Sequence, residues 1–189
     1  MYFGYKKKKT MINLTNLDLT PYEIGEVDSP LYESLIVGLQ EIYWCENHLI
    51  RTLLKLDNAS ISREVKSSVH AYLESTKHHI YRLEQMFELL DEEIDVQHCE
   101  LLSSLCRGAE ESVASTLDAT LRDERILIAG EKLSTHEVQS YEKLLELATN
   151  TGRFDIVRLL GDTLNEETRT LQAFRNVKQM MSQKISAAA

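Results

Sequence analysis

Helix breakers are scarce in this chain. Its 189 residues include only seven glycines and two prolines, and both prolines, Pro21 and Pro30, precede position 31. Beyond Pro30 little stops a helix, so long helices are expected. No stretch alternates apolar and polar residues long enough to make a strand. Only three cysteines are present, Cys45, Cys99 and Cys106, and none form a CxxC pair. Reduced thiols in the cytoplasm are the simplest reading. No run of 18 apolar residues exists, which argues against a membrane span. The N-terminal MYFGYKKKKTMINL has lysines but no apolar stretch behind them, unlike a secretory signal. Basic charge is in deficit: 21 Lys and Arg face 30 Asp and Glu, for a net charge of -9 and a pI near 5.2. No nucleic-acid partner is therefore expected. There is no Gly-rich phosphate loop, no GxSxG and no HExxH. Each missing motif removes one familiar chemistry.

What is present is a succession of amphipathic stretches. Residues 1–27 carry no helical stripe and read as a flexible tail holding the basic run Lys6 to Lys9. Residues 28–185 read as one bundle domain. Asp28-Ser29-Pro30 starts a helix, with a capping side chain and then proline in the first turn. That first long helix runs to about Leu56. A second follows from near Ser62 to Leu90, a shorter one from about His98 to Ser115, a third long one from about Arg122 to Ala148, and a fourth from about Phe154 to Gln183. Asn150-Thr151-Gly152 separates the last two, with glycine just past the helix end. The expected fold is all-α: an antiparallel four-helix bundle with one short extra helix between long helices 2 and 3. Leu54, Leu127 and Ile128 lie off the core stripes, so a homodimer is expected.

The stripes contain an anomaly. In the first helix Leu35, Leu39, Ile42, Glu46, Leu49, Leu53 and Leu56 share one face. Six are aliphatic, and the seventh is a glutamate near the middle. The second helix places Val69, Leu73, Thr76, Ile80, Leu83, Phe87 and Leu90 on its stripe, flanked by Tyr72 and His79. The third has Ile126, Leu133, Glu137, Ser140, Leu144 and Leu147, with His136 beside them as a lesser candidate. The fourth has Val157, Leu160, Leu164, Glu167, Leu171 and Phe174. Three helices thus carry one seam glutamate each. A buried carboxylate must be paired, protonated or metal-bound. Carboxylates converging with an imidazole suit iron or manganese, and Glu46, His79, Glu137 and Glu167 are the candidate ligands. The competing reading pairs the glutamates with Arg51, Arg82 or Arg175 and makes them structural.

Height is a second test. At ~1.5 Å per residue, Glu137 and Glu167 both stand roughly 20 Å from the turn at Gly152. On that scale Glu46 stands ~15 Å from the first connection, level with Tyr72 rather than His79. Cys45, near His48, reads as a small apolar filler.

Several segments in order carry a family resemblance: EIYWCENHLIRTLLKL, YLESTKHHIYRLEQMFELL, HCELLSSLCRGAEE, LRDERILIAGEKLSTHEVQSY and LLGDTLNEETRTLQAF. Over about residues 30–178 the chain resembles the YciE/YciF family of bacterial ferritin-like stress proteins. The resemblance implies a rubrerythrin-like four-helix fold and a di-metal site. It matches Glu46, His79, Glu137 and Glu167 to polar positions of the family. On the metal-binding reading, a reduced iron pair held by these residues would react with a small oxidant, oxygen or peroxide. Three positions depart from the pattern. Ser134 stands where the family has a glutamate, Tyr72 where it often has a histidine, and Leu171 where an acidic residue is frequent. Each departure removes a donor near the proposed centre. An alternative is a non-catalytic bundle acting through oligomerisation or partner binding.

Overall fold

The computed structural model describes residues 29–188. The expected tail, 1–27 with Lys6 to Lys9, lies outside the described residues. Among the described residues five helices follow one another: α1 (Pro30–Ala59), α2 (Arg63–Leu90), α3 (Glu100–Ala114), α4 (Ala119–Asn150) and α5 (Phe154–Ala188). Their starts follow from side chains that accept otherwise unpaired backbone N–H groups. The Ser29 hydroxyl accepts from Tyr32 N at 3.2 Å, with Pro30 in the first turn. Ser62 accepts from Val65 N, and Asp118 accepts from Leu121 N at 2.8 Å. Two left-handed residues end helices: Asp91 closes α2 at φ 55°, and Gly152 sits between α4 and α5 at φ 69°.

Helix ends differ from expectation by a few residues. α1 continues through Asp57 and Asn58 to Ala59, so the break falls at Ser60–Ser62. α4 begins at Ala119, earlier than Arg122, because Asp118 is the capping residue. α5 runs to Ala188, past the expected end near Gln183.

The long helices close a ring in which α1 packs on α2 and α4, and α5 packs on the same two. Polar clasps fix their directions. At one end Asp123, buried in the first turns of α4, accepts from Ile61 N at 2.9 Å and Ser62 N at 2.7 Å. The start of α4 therefore sits beside the α1–α2 turn. At the other end Arg153 donates to the Leu89 carbonyl at 3.1 Å and to the Tyr32 hydroxyl at 3.4 Å. That joins the start of α1, the end of α2 and the start of α5. All ring neighbours are thus antiparallel. The chain leaves α2 at one end and must enter α4 at the other. Residues 91–118 make that crossing, and α3 lies along α1 and α4 on the way. One long crossover is the ferritin-like connection.

All seven α1 seam residues are buried, Glu46 included. On α4 the seam is rotated by one residue from the expected line: Tyr141 is buried and Ser140 only partly so. On α5 the buried line is Ile156, Leu160, Thr163, Glu167, Leu171 and Phe174. α4 and α5 approach closely at Gly130, where a Cβ would lie 2.4 Å from the Phe174 ring. Leu127 is buried and Ile128 half-buried beside α3, contrary to the expectation that both lie on an outer face. Leu54 is 45% exposed as expected. Among the described residues, no helix is long and apolar enough to cross a membrane.

Candidate metal centre

The four candidate ligands come from the middles of the four long helices, and all are fully buried. His79 is at the centre. Its Nδ1 lies 3.2 Å from Glu46 Oε1 and 3.2 Å from Glu167 Oε1. Neither approach has hydrogen-bond alignment, and Nδ1 has no hydrogen-bond partner. Donor atoms held by one ion at about 2.1 Å and about 90–110° apart lie roughly 3.0–3.4 Å from one another. The spacing around Nδ1 matches the edge of such a coordination polyhedron. The earlier height mismatch is corrected: Glu46 meets His79. α1 runs to Ala59 rather than Leu56, so Glu46 stands 13 residues from its end and His79 stands 16 residues from the start of α2, which is about 20 Å against about 24 Å at ~1.5 Å per residue.

The far side of the ring explains its orientation. His79 Nε2 lies 3.0 Å from Glu166 Oε2. Arg82 grips the same carboxylate twice, with Nη2 to Oε1 at 2.8 Å and Nη1 to Oε2 at 3.1 Å, and Nη1 also donates to Thr163 at 2.8 Å. A carboxylate behind a histidine directs the proton to the outer nitrogen and leaves the inner one as a donor to metal. Burial raises the Glu166 pKa, but Arg82 and then His79 hold it below the usual carboxylate value.

Glu137 stands outside the tight group of Glu46, His79 and Glu167. Both its oxygens are buried without a hydrogen-bond partner. The same holds for both oxygens of Glu167, for Glu46 Oε2, and for the hydroxyls of Tyr72 and Thr76. Glu46 Oε1 accepts from the Tyr141 hydroxyl at 2.7 Å. Native interiors leave few such atoms unsatisfied, and a cluster of them calls for an ion or a proton. The donor set of three carboxylates and one imidazole fits a hard or borderline cation such as iron or manganese.

Protons answer the same electrostatic demand. Burial, then the charges of Glu46 and Glu167, push Glu137 well above the usual carboxylate range. Burial and Glu46 lift Glu167 while His79 pulls it back, leaving it at about 7. Burial would lower His79, but the charges of Glu46 and Glu167 overcome it and raise the imidazole to about 10. Burial and the neighbouring glutamates hold Tyr72 and Tyr141 as neutral phenols.

Among the described residues, no lysine or arginine pairs with Glu46, Glu137 or Glu167. Arg82 goes to Glu166, Arg175 goes to Glu131, and Arg51 is exposed. The arginine-paired reading of the seam glutamates is therefore overturned. Of the three departures, Ser134 spends its hydroxyl on the Gly130 carbonyl at 2.8 Å, Tyr72 turns a phenol to the core, and Leu171 is buried as an apolar residue. Sequence reasoning missed Glu166 and Tyr141, and named Arg82 only as a possible partner of a seam glutamate. Adjacent glutamates on a helix point about 100° apart, so Glu166 had to flank the seam beside Glu167. His79 and Arg82, three residues apart on α2, both face that flank.

The architecture is that of a ferritin-like four-helix bundle with a carboxylate–histidine cluster in its core. The chain belongs to the family described as a domain of unknown function (DUF892), whose model matches residues 31–188. It is 32% identical to Protein YciF of Escherichia coli K12 over 133 residues, covering 70% of this chain and 80% of that one. The crystal structure of the E. coli stress protein YciF superposes with a TM-score of 0.79 at 29% identity, covering 82% of this chain and 99% of that one. YcfI from Rhodopseudomonas palustris gives a TM-score of 0.75 at 26% identity, covering 83% and 98%.

Proposed function

We propose that this protein binds iron or manganese in its bundle core and acts on oxygen or peroxide in a bacterial stress response. The observation that carries the reading is the convergence of Glu46, Glu167 and His79 Nδ1, unaligned for hydrogen bonds, on one point. Dinuclear carboxylate bundles take a glutamate from two helices and a Glu-x-x-His pair from each of the others. Here the α2 pair is Thr76-x-x-His79 and the α5 pair is Glu167-x-x-Thr170, so each keeps one donor. With Glu46 and Glu137 that leaves four donors in place of six, which favours a single ion.

A reduced iron held there would supply the electrons for oxygen or peroxide reduction. The chain's own work is to bind and orient. Glu46 and Glu167 supply charge, and Tyr141 holds Glu46 through its hydroxyl. Glu166 and Arg82 fix the His79 ring. The apolar layers above and below limit water. Glu137, off the tight group, is the carboxylate free to swing toward the ion or carry a proton.

The test is peroxide or oxygen consumption by protein loaded anaerobically with one equivalent of ferrous iron. Consumption well above that of free iron, lost in Glu46→Gln, is expected. A rate equal to free iron would contradict the catalytic part of the proposal. We also propose a homodimer in the cytoplasm, motivated by exposed apolar residues such as Leu54. A monomeric mass by light scattering at micromolar concentration would count against it.

A further inference from the structure

Cys45, Cys99 and His136 form a second cluster that the core centre does not use. Their donor atoms lie within 4.8 Å of one another, and Cys99 Sγ is 3.9 Å from His136 Nε2. They come from three elements: α1, the N-cap of α3 and α4. Cys99 occupies a capping position yet makes no capping bond, so its thiol is not committed to its own helix. The group sits on the rim of a cavity of about 100 Å³, which Glu41, Ser140 and Lys143 also line.

The placement follows from helix geometry. Cys45 precedes Glu46, and His136 precedes Glu137. Consecutive helical residues point about 100° apart. On α1 and α4 alike, the glutamate therefore faces the bundle interior while its neighbour faces the groove where α3 begins. Around one tetrahedral zinc, sulfur at about 2.3 Å and nitrogen at about 2.1 Å lie roughly 3.6 Å apart, close to the separation seen. Two sulfurs and an imidazole are soft donors, in contrast to the carboxylates of the core.

We infer that Cys45, Cys99 and His136 form a zinc site distinct from the core centre, with its fourth position open to water at the cavity. Each thiol gives its proton to solvent as its sulfur takes the metal, so two thiolates balance the dication. The bound ion would tie the start of α3 to α1 and α4.

Cobalt(II) is the probe, titrated into reduced, metal-free protein and then displaced with zinc. Thiolate ligands give an intense near-ultraviolet sulfur-to-cobalt band, and carboxylates and imidazole give none. The expected result is that band at one equivalent, removed by zinc. It should lose at least half its intensity in Cys99→Ser, be weakened about tenfold or more in affinity in His136→Ala, and be kept in Glu167→Gln. The Glu167→Gln arm separates this site from the core centre, since that variant damages only the latter. Absence of the band in the wild-type protein, or its persistence at full intensity in Cys99→Ser, would overturn the inference. Cys99 is only half-buried, so its serine variant keeps the fold, which circular dichroism would verify.

Discussion

Replacing Glu167 by Gln keeps the side chain's shape and removes its titration. In the folded protein burial lifts Glu167 to about 7, against the ordinary glutamate value of 4.5. Between those values the metal-free native state holds a proton that the unfolded state has released. Stability therefore falls as pH rises through that window. The difference of about 2.5 units, at 1.36 kcal/mol each, amounts to about 3 kcal/mol. For a chain of this length that is roughly 6–12 °C in Tm. His79 adds no slope below the ordinary histidine value of 6.5, because it is protonated in both states there. Thermal melts of the chelator-treated proteins, from pH 4.5 to 7, would show it. The wild-type Tm should fall by that amount relative to Glu167→Gln, and the variant should be the more stable metal-free protein at pH 7. With metal present the order should reverse, because a bound ligand stabilises only the protein able to hold it. The opposing account makes Glu167 the necessary partner of a buried charged His79. Under it the variant would lose roughly 3–5 kcal/mol, the scale for breaking a buried pair. A variant less stable than wild type at pH 7 without metal would refute the reasoning.

Glu166→Gln should lower metal affinity about 10–100-fold with little change in fold, because Glu166 directs the His79 proton outward; isothermal titration with manganese would measure it. Metal affinity should also rise with pH from 5 to 8, since binding displaces protons from His79 and the carboxylates, and the same titration reads it. Asp123→Ala removes the acceptor for two backbone N–H groups at the α1–α2 turn and should cost about 1–3 kcal/mol, visible in urea unfolding and in faster hydrogen exchange at Ile61 and Ser62. Gly130→Ala drives a methyl into the Phe174 ring and should cost about 1–3 kcal/mol by overpacking, seen as a lowered Tm.

The helices and their buried faces were legible because apolar residues recur at helical spacing with almost no breakers between them. The same spacing exposed Glu46, Glu137 and Glu167 as misfits on apolar stripes. Relative height was not legible in this way. Counting residues placed Glu46 level with Tyr72, whereas the later end of α1, at Ala59, brings it to His79. The α4 seam was misread by one residue because Ser140 and Tyr141 sit on either side of the face centre. Burial of a tyrosine there depends on finding Glu46 across the core. Ile128 looked external because periodicity within α4 says nothing about α3 lying against it. Cys45 read as filler for a related reason: its neighbours Cys99 and His136 are remote in sequence and meet only through the crossover.

The central claim is that the buried glutamates and His79 hold a metal ion. The most direct measurement is iron, manganese and zinc content per chain after purification without chelator, for the wild-type protein and for Glu46→Gln/Glu167→Gln. The account predicts about one equivalent of iron or manganese in the wild type, lost from the double variant while any zinc is retained. Wild-type protein that holds neither iron nor manganese, and whose Tm does not move when either is added, would contradict it.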